Sequence, residues 1–167
     1  YICFDLEDGI KCNYLSSHKG NIIEVINLLN KETSKINLGI RINNPESKNF
    51  NEDLEFLQSF NKYFNIEVIF IPKVNNLRDI KFAIGNLKKR DINYRQVIPI
   101  IETKDGMNNV SEIGKASNIL FNKLAFGHAD YNYDMGNFPF SHQNSSTYWN
   151  WITCILSSIE LGGKSII

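Results

Sequence analysis

Features that would mark a specialised class of protein are scarce in this 167-residue chain. No apolar run approaches the roughly 20 residues that a helical membrane span needs, so a chain threaded through a bilayer as a helix is excluded. Cysteine is sparse: Cys3, Cys12 and Cys154 are odd in number, far apart and in no CxxC arrangement. That argues against a disulfide framework and a zinc site, and favours reduced, packed thiols. Net charge is missing too, because 18 basic residues balance 18 acidic ones, and nothing draws the chain toward nucleic acid or an anionic membrane surface. There is no GxGxxG and no Walker loop to cradle a nucleotide phosphate. The expectation is a cytoplasmic protein acting on a small molecule.

What is present suits a globular domain. Hydrophobic residues make up 43% and charged residues 22%, enough to bury a core at this length. The basic cluster KKR at 88–90 reads as a solvated helix end, where cations suit the helix dipole. Both ends fall inside apolar stretches, YICF and GGKSII, so the expectation is one domain over residues 1–167 with residues missing on either side.

Short β-rich runs at 1–4, 38–42, 66–71, 97–101 and 124–126, with a sixth near Lys164, alternate with helical periodicity. Most are apolar without alternation, as parallel strands covered on both faces should be. Between them Ile22, Ile26 and Leu29, then Leu54, Leu57 and Phe64, then Leu77, Ile80, Ile84 and Leu87 recur at helical spacing. Val110, Ile113 and Ser117 make a weaker helix, and Ile152, Ile155, Leu156 and Ile159 a strong last one. Asn51 and Asn76 stand where N-caps belong. A repeated β-α order means right-handed crossovers and a parallel sheet.

Reading each strand to its C-terminal end gives Asp5, Arg41, Lys73, Glu102 and Asp130, at intervals of 36, 32, 29 and 28 residues. Charges at the same end of five successive strands converge if the sheet closes, which is the arrangement of a TIM (β/α)8 barrel. Such a barrel takes eight units and about 250 residues, so with about six units this one would be incomplete. In an open doubly wound sheet the same residues would lie along an edge and converge less well.

Glu102 and Asp130 end adjacent expected strands, and two carboxylates with open positions suit a hard cation such as Mg²⁺. The alternative is that Glu102 caps the helix opening near Thr103 and Asp130 makes a turn. Arg41, in the apolar run IRIN, can grip a substrate carboxylate in two-point fashion or form a salt bridge to Glu7 or Asp8. The stretch DLEDG places Asp5, Glu7 and Asp8 within four residues, which demands a compensating cation, water or Arg.

The motifs FDLEDG at 4–9, IRIN at 40–43, IPK at 71–73, IIETKDGMNNVSEIGKAS at 100–117 and LAFGHADYNYDMG at 124–136 resemble, in order, those of the citrate lyase beta-subunit-like family, which includes citryl-CoA and malyl-CoA lyases. The resemblance implies a TIM barrel and a Mg²⁺-dependent lyase that breaks or forms a carbon–carbon bond beside a 2-hydroxy or 2-keto acid, with an acyl-CoA thioester as a candidate substrate. It implies Glu102 and Asp130 as metal ligands, Arg41 on the substrate carboxylate, Asp5, Glu7 and Asp8 ordering water around the metal, and Lys73 lining the same face. It also implies a homo-oligomer, since the family draws an acid/base group from a C-terminal segment, often that of a neighbouring subunit. The related class II 2-keto-acid aldolases carry His where this chain has Asp8, which favours the acyl-CoA branch. An aldolase acting on a free 2-keto acid or sugar acid, and a silent barrel serving as a binding or assembly subunit, stay as alternatives.

Gly127 lets the backbone turn close to the expected site, and His128 either touches substrate or packs on backbone. Asp134 reads as a loop or helix-start residue, and His18 and His142 as surface residues without a partner. Phe138, Phe140, Tyr148, Trp149 and Trp151 are more aromatic than the family pattern, either stacking on a substrate or plugging the last helix in place.

Overall fold

In the computed structural model the described residues are 2–8, 15–32, 37–116, 120–136, 145–160 and 165–166. They form an α/β chain in which the strands that pair within each unit are parallel. Two compact units divide it, one of Tyr1–Phe70 with Gly85–Gln96 and one of Ile71–Ile84 with Val97–Ile167.

In the first unit, β1 (Ile2–Asp5) pairs with β2 (Leu38–Arg41), and β2 with β3 (Ile66–Ile71). The β1–β2 register sets Asp5 opposite Arg41, so the two strands end level. A Cβ on Gly39 would meet the Cys3 thiol and the Phe70 ring at 3.4 Å, ordinary contact distance. Helix α1 (Leu15–Glu32) buries Ile22 and Ile26, one turn apart, and leaves Val25 and Leu28 exposed. Helix α2 (Phe50–Phe60) buries Phe50, Leu54, Leu57 and Phe60 on one stripe, and Asp53 with them. Its N-cap is Asn49, which places Asn51 inside the helix rather than at the cap the sequence suggested.

In the second unit, helix α3 (Leu77–Lys89) begins as expected: the Asn76 side chain accepts from the Arg78 N–H at 2.8 Å. Its far end belongs to the first unit, where Lys88 and Lys89 lie exposed in the last turn. Strand β4 (Tyr94–Ile101) starts three residues earlier than the apolar run, and its residues 97–101 are all buried. β4 pairs with β5 (Lys123–Phe126), Ile101 opposite Phe126, and β5 with β6 (Ser165–Ile166). The weak helical pattern after β4 resolves into two short helices, α4 (Lys104–Asn108) and α5 (Val110–Lys115). A helix that periodicity did not announce, α6 (His128–Asp134), follows β5 directly, and α7 (Ser146–Glu160) is the strong last helix.

Cys3 and Cys154 are free thiols, as expected, but exposed rather than packed. Among the described residues no helix is long and apolar enough to cross a membrane. The expectations for Cys12, Ser117, Phe138, Phe140 and His142, and for the side chains of Leu29, Trp151, Ile155, Leu156 and Ile159, lie outside the described residues.

Candidate active site

The expected site residues divide between the two units. In the first, the backbone N–H of Leu6 donates to the Arg41 carbonyl at 2.8 Å, which continues the β1–β2 ladder one residue past the strands. Asp5 and Glu7 flank that bond, and both reach back to Arg41. Arg41 Nε and Nη2 donate to Asp5 Oδ1 and Oδ2 at 2.7 and 2.6 Å, a two-point grip, and Nη1 stands 3.1 Å from Glu7 Oε2. Glu7 is nearly buried, its side chain 6% exposed, and the guanidinium supplies the positive charge that three closely spaced acids require. The salt-bridge reading of Arg41 is thus what the structure contains, with Asp5 and Glu7 as its partners. Asp8 is exposed.

His18 corrects its expectation: it is half-buried near the start of α1, and its Nε2 donates to the Asp5 carbonyl at 3.2 Å. Below it lies a network that the sequence did not announce. Asn43 donates from both its backbone N–H and its Nδ2 to Asp53 Oδ2, each at 2.7 Å, and Nδ2 also donates to the Leu6 carbonyl at 2.7 Å. Asp53 is fully buried, and Lys19 Nζ stands 3.1 Å from its other oxygen. Burial pushes the Asp53 carboxyl up, against the opposing pull of the Asn43 donors and Lys19. The available signal was positional: Lys19 precedes Ile22 and Ile26 on one helical stripe, and Asp53 sits within the Phe50, Leu54, Leu57 stripe. A charge on an apolar stripe needs a buried partner.

In the second unit, Glu102 follows the last residue of β4 and is 3% exposed. Its Oε1 accepts from the Lys73 backbone N–H at 2.8 Å, and Lys73 adopts a left-handed φ of 49°. Gly127 follows the last residue of the paired β5, and its N–H donates to the Ile101 carbonyl at 3.0 Å. A Cβ on Gly127 would overlap Glu102 Oε2. The carboxylate therefore lies in a cradle that only a missing side chain leaves open.

The capping alternative for Glu102 is not what is seen. Thr103 caps α4, its hydroxyl oxygen accepting from the Gly106 N–H at 3.0 Å while the hydroxyl donates to Asn75 Oδ1 at 2.7 Å. Asn109 Nδ2 donates to the Asn75 carbonyl at 2.9 Å, and a Cβ on Gly106 would overlap the Val74 carbonyl. The loop after β3 and the start of α4 are thereby braced on either side of Lys73 and Glu102. Asp130 lies in the first turn of α6, half-buried. Asp134 ends that helix rather than starting another, and its carboxylate accepts from the Lys104 N–H at 2.7 Å.

The His128 ring sits edge-on between Phe126, centroids 6.2 Å apart, and Tyr148 on α7, 5.7 Å apart. Tyr148 in turn meets Trp149 at 5.8 Å, and Trp149 is 59% exposed. For the described aromatics this ladder matches the packing alternative, tying α7 to the end of β5.

Among the described residues no group of three or more His, Cys, Asp or Glu side chains could hold a metal ion. The donors present are two hard carboxylates, Glu102 in its cradle and Asp130 three residues past Gly127. That set fits a cation such as Mg²⁺, which takes one or two carboxylates and keeps water or substrate oxygens for the rest. It does not fit a closed structural metal site.

A family model described as HpcH/HpaI aldolase/citrate lyase matches residues 1–148. No curated protein matches the chain. Among solved structures it resembles RipC from Yersinia pestis at 20% identity and a TM-score of 0.75, covering 98% of this chain and 66% of that one. A citrate lyase from Burkholderia xenovorans LB400 aligns at 17% identity and a TM-score of 0.77, covering 98% and 53%. Protein CitE from Mycobacterium tuberculosis, in complex with magnesium and acetoacetate, aligns at 17% and 0.70, covering 98% and 61%. At such identities these likenesses bear on fold alone, and the chain spans about half to two thirds of the length of these structures.

Proposed function

Because the chain belongs to the HpcH/HpaI aldolase/citrate lyase family, we propose that it is a Mg²⁺-dependent carbon–carbon lyase or aldolase acting on a 2-hydroxy or 2-keto acid or its acyl-CoA adduct. We propose further that the six strands among its described residues are part of a (β/α)8 barrel, and that it works as a cytoplasmic homo-oligomer. The observation that carries this reading is Glu102, buried in the Gly127 cradle with Asp130 following on α6. An almost fully buried carboxylate at a strand end is costly unless it is held and compensated.

In this reading Glu102 and Asp130 hold the cation, which supplies Lewis-acid polarisation of the substrate oxygens. The Lys73 N–H fixes one oxygen of Glu102, leaving the carboxylate little freedom to turn. Arg41 binds the substrate carboxylate, and Asp5 and Glu7 hold its guanidinium in one orientation before an acid arrives. Support for the cation and acid class comes from protein CitE, solved with magnesium and acetoacetate and with magnesium and pyruvate. Those two acids also support a second version of the reading, aldol chemistry on a free 2-keto acid without CoA.

The test is calorimetric titration of the chain with Mg²⁺, then with pyruvate at saturating Mg²⁺. Wild type is expected to bind both, and Glu102→Gln and Asp130→Asn to lose Mg²⁺ affinity at least about tenfold, in line with the loss of a ligand. A wild type blind to millimolar Mg²⁺ would sink the reading. Cleavage assays with acyl-CoA adducts and with free hydroxy-keto acids then separate the two versions.

A further inference from the structure

Asp53 takes no part in the chemistry proposed above, yet it is the most enclosed acid among the described residues, with none of its surface exposed. It anchors a chain of contacts that ends at Arg41. Two donors of Asn43 converge on its Oδ2, and the same Asn43 amide holds the Leu6 carbonyl. Leu6 is thus fixed on both sides, its carbonyl by Asn43 and its N–H by the Arg41 carbonyl. The residues either side of it, Asp5 and Glu7, are the ones that grip the guanidinium.

We propose that Lys19 is a positioning residue for this cluster: by holding Asp53 as a buried anion it keeps Asn43 on Leu6, and so keeps Asp5 and Glu7 on Arg41. An anionic oxygen accepting two hydrogen bonds holds them roughly twice as strongly as a neutral acceptor. Asp53 has no exposed surface and the ammonium stands 3.1 Å from its Oδ1, so removing that charge favours the neutral, weaker-accepting carboxyl. Nζ also stands over the Phe56 ring, 5.8 Å from its centre. Lys19→Met removes the charge with that contact and keeps an unbranched apolar side chain in its place.

A mere staple between α1 and α2 would lower stability on mutation and leave Arg41 as it is. A positioning residue alters Arg41 in a chain that stays folded, and the Arg41 Nε–H reports this by NMR without any ligand. In wild type it is expected to exchange slowly, since it is donated to Asp5. In Lys19→Met exchange is expected to quicken about tenfold or more, as for a contact that opens locally, and in Lys19→Arg to stay slow. The double variant Lys19→Met with Asp53→Asn is expected to exchange as quickly as Lys19→Met, because a neutral amide, like a neutral carboxyl, lacks the strength of an anionic acceptor. Unchanged Arg41 and Asn43 signals in folded Lys19→Met would overturn the proposal. If that variant fails to fold, the double variant decides, and a folded double variant with wild-type Arg41 protection overturns it equally.

The bearing of Lys19 on catalysis rests on the lyase reading, and a separate titration addresses it. Pyruvate with Mg²⁺ should bind Lys19→Met at least about tenfold more weakly than wild type, the scale of a lost supporting contact, while Mg²⁺ alone binds both equally. A wild type that ignores pyruvate counts against the lyase reading, and the NMR result still decides the role of Lys19.

Discussion

The carboxylate of Glu102 occupies the space that a side chain on residue 127 would need. The φ of Gly127, −92°, is ordinary for any residue, so room and not backbone freedom dictates the glycine. Gly127→Ala must displace Glu102 or strain β5, and it is expected to cost about 1–3 kcal/mol, as overpacking does, and to weaken Mg²⁺ binding. Gly20, inside α1, gives the opposite sign, because a Cβ added there would meet nothing within 4 Å. Gly20→Ala should add about 0.5–1 kcal/mol by helix propensity alone. Urea melts of both variants check the pair, and a Gly127→Ala chain as stable as wild type would contradict the cradle.

Arg41 and Asp5 meet through a planar fork, and a lysine at 41 keeps the charge without the fork. A double-mutant cycle of Asp5→Ala with Arg41→Ala is expected to give a coupling of about 1–2 kcal/mol, within the range for contacting charged groups. Arg41→Lys should recover less than half of it. A coupling below about 0.3 kcal/mol, typical of idle surface pairs, would show the grip to be inert.

Asp53 makes stability depend on pH in an unusual direction. Burial raises its carboxyl in the folded chain above its unfolded value, so between those two values the folded state binds more protons. Its contribution is therefore greatest below the unfolded value and falls as pH rises through the folded one. Asp53→Asn does not titrate, so wild-type stability relative to this variant should improve on acidification from neutral pH. Denaturation of both at several pH values from 7 downward measures the gap, and a gap that moves against wild type on acidification refutes the assignment.

Thr103 serves two hydrogen bonds at once, accepting from Gly106 and donating to Asn75. Thr103→Ala is expected to cost about 1–2 kcal/mol, the range for a lost N-cap, and Thr103→Ser to restore most of it. Thermal melts of the two would show this, and an alanine variant within 0.3 kcal/mol of wild type, about the noise of such comparisons, would mean that the brace carries no load.

The strand ends were legible because a strand that stops being apolar at a charge marks its own terminus. Asp5 and Arg41 do pair level and Glu102 does follow β4, whereas Asp130, read as the end of the next strand, lies in the first turn of α6. Partners brought together by tertiary packing were not legible. Lys19 and Asp53 each sit on an apolar stripe that asks for a buried partner, but they lie on different helices and nothing in the sequence pairs one with the other. His18 depended on a backbone carbonyl that no sequence pattern displays. Helix α6 escaped notice because residues 128–134 carry no apolar stripe; it is fixed by burial of Tyr131 and Asn132. Asn49 and Asn51 differ too little in propensity for sequence to choose the cap.

Lys73 reaches Glu102 through its backbone N–H, from a conformation that a lysine adopts only at some expense. A contact made by the main chain is blind to side-chain identity, so for holding Glu102 position 73 is free to drift among most residues, with glycine or asparagine the easiest and proline the one barred. The constancy to look for across distant relatives at this turn lies in its handedness, not in its letter.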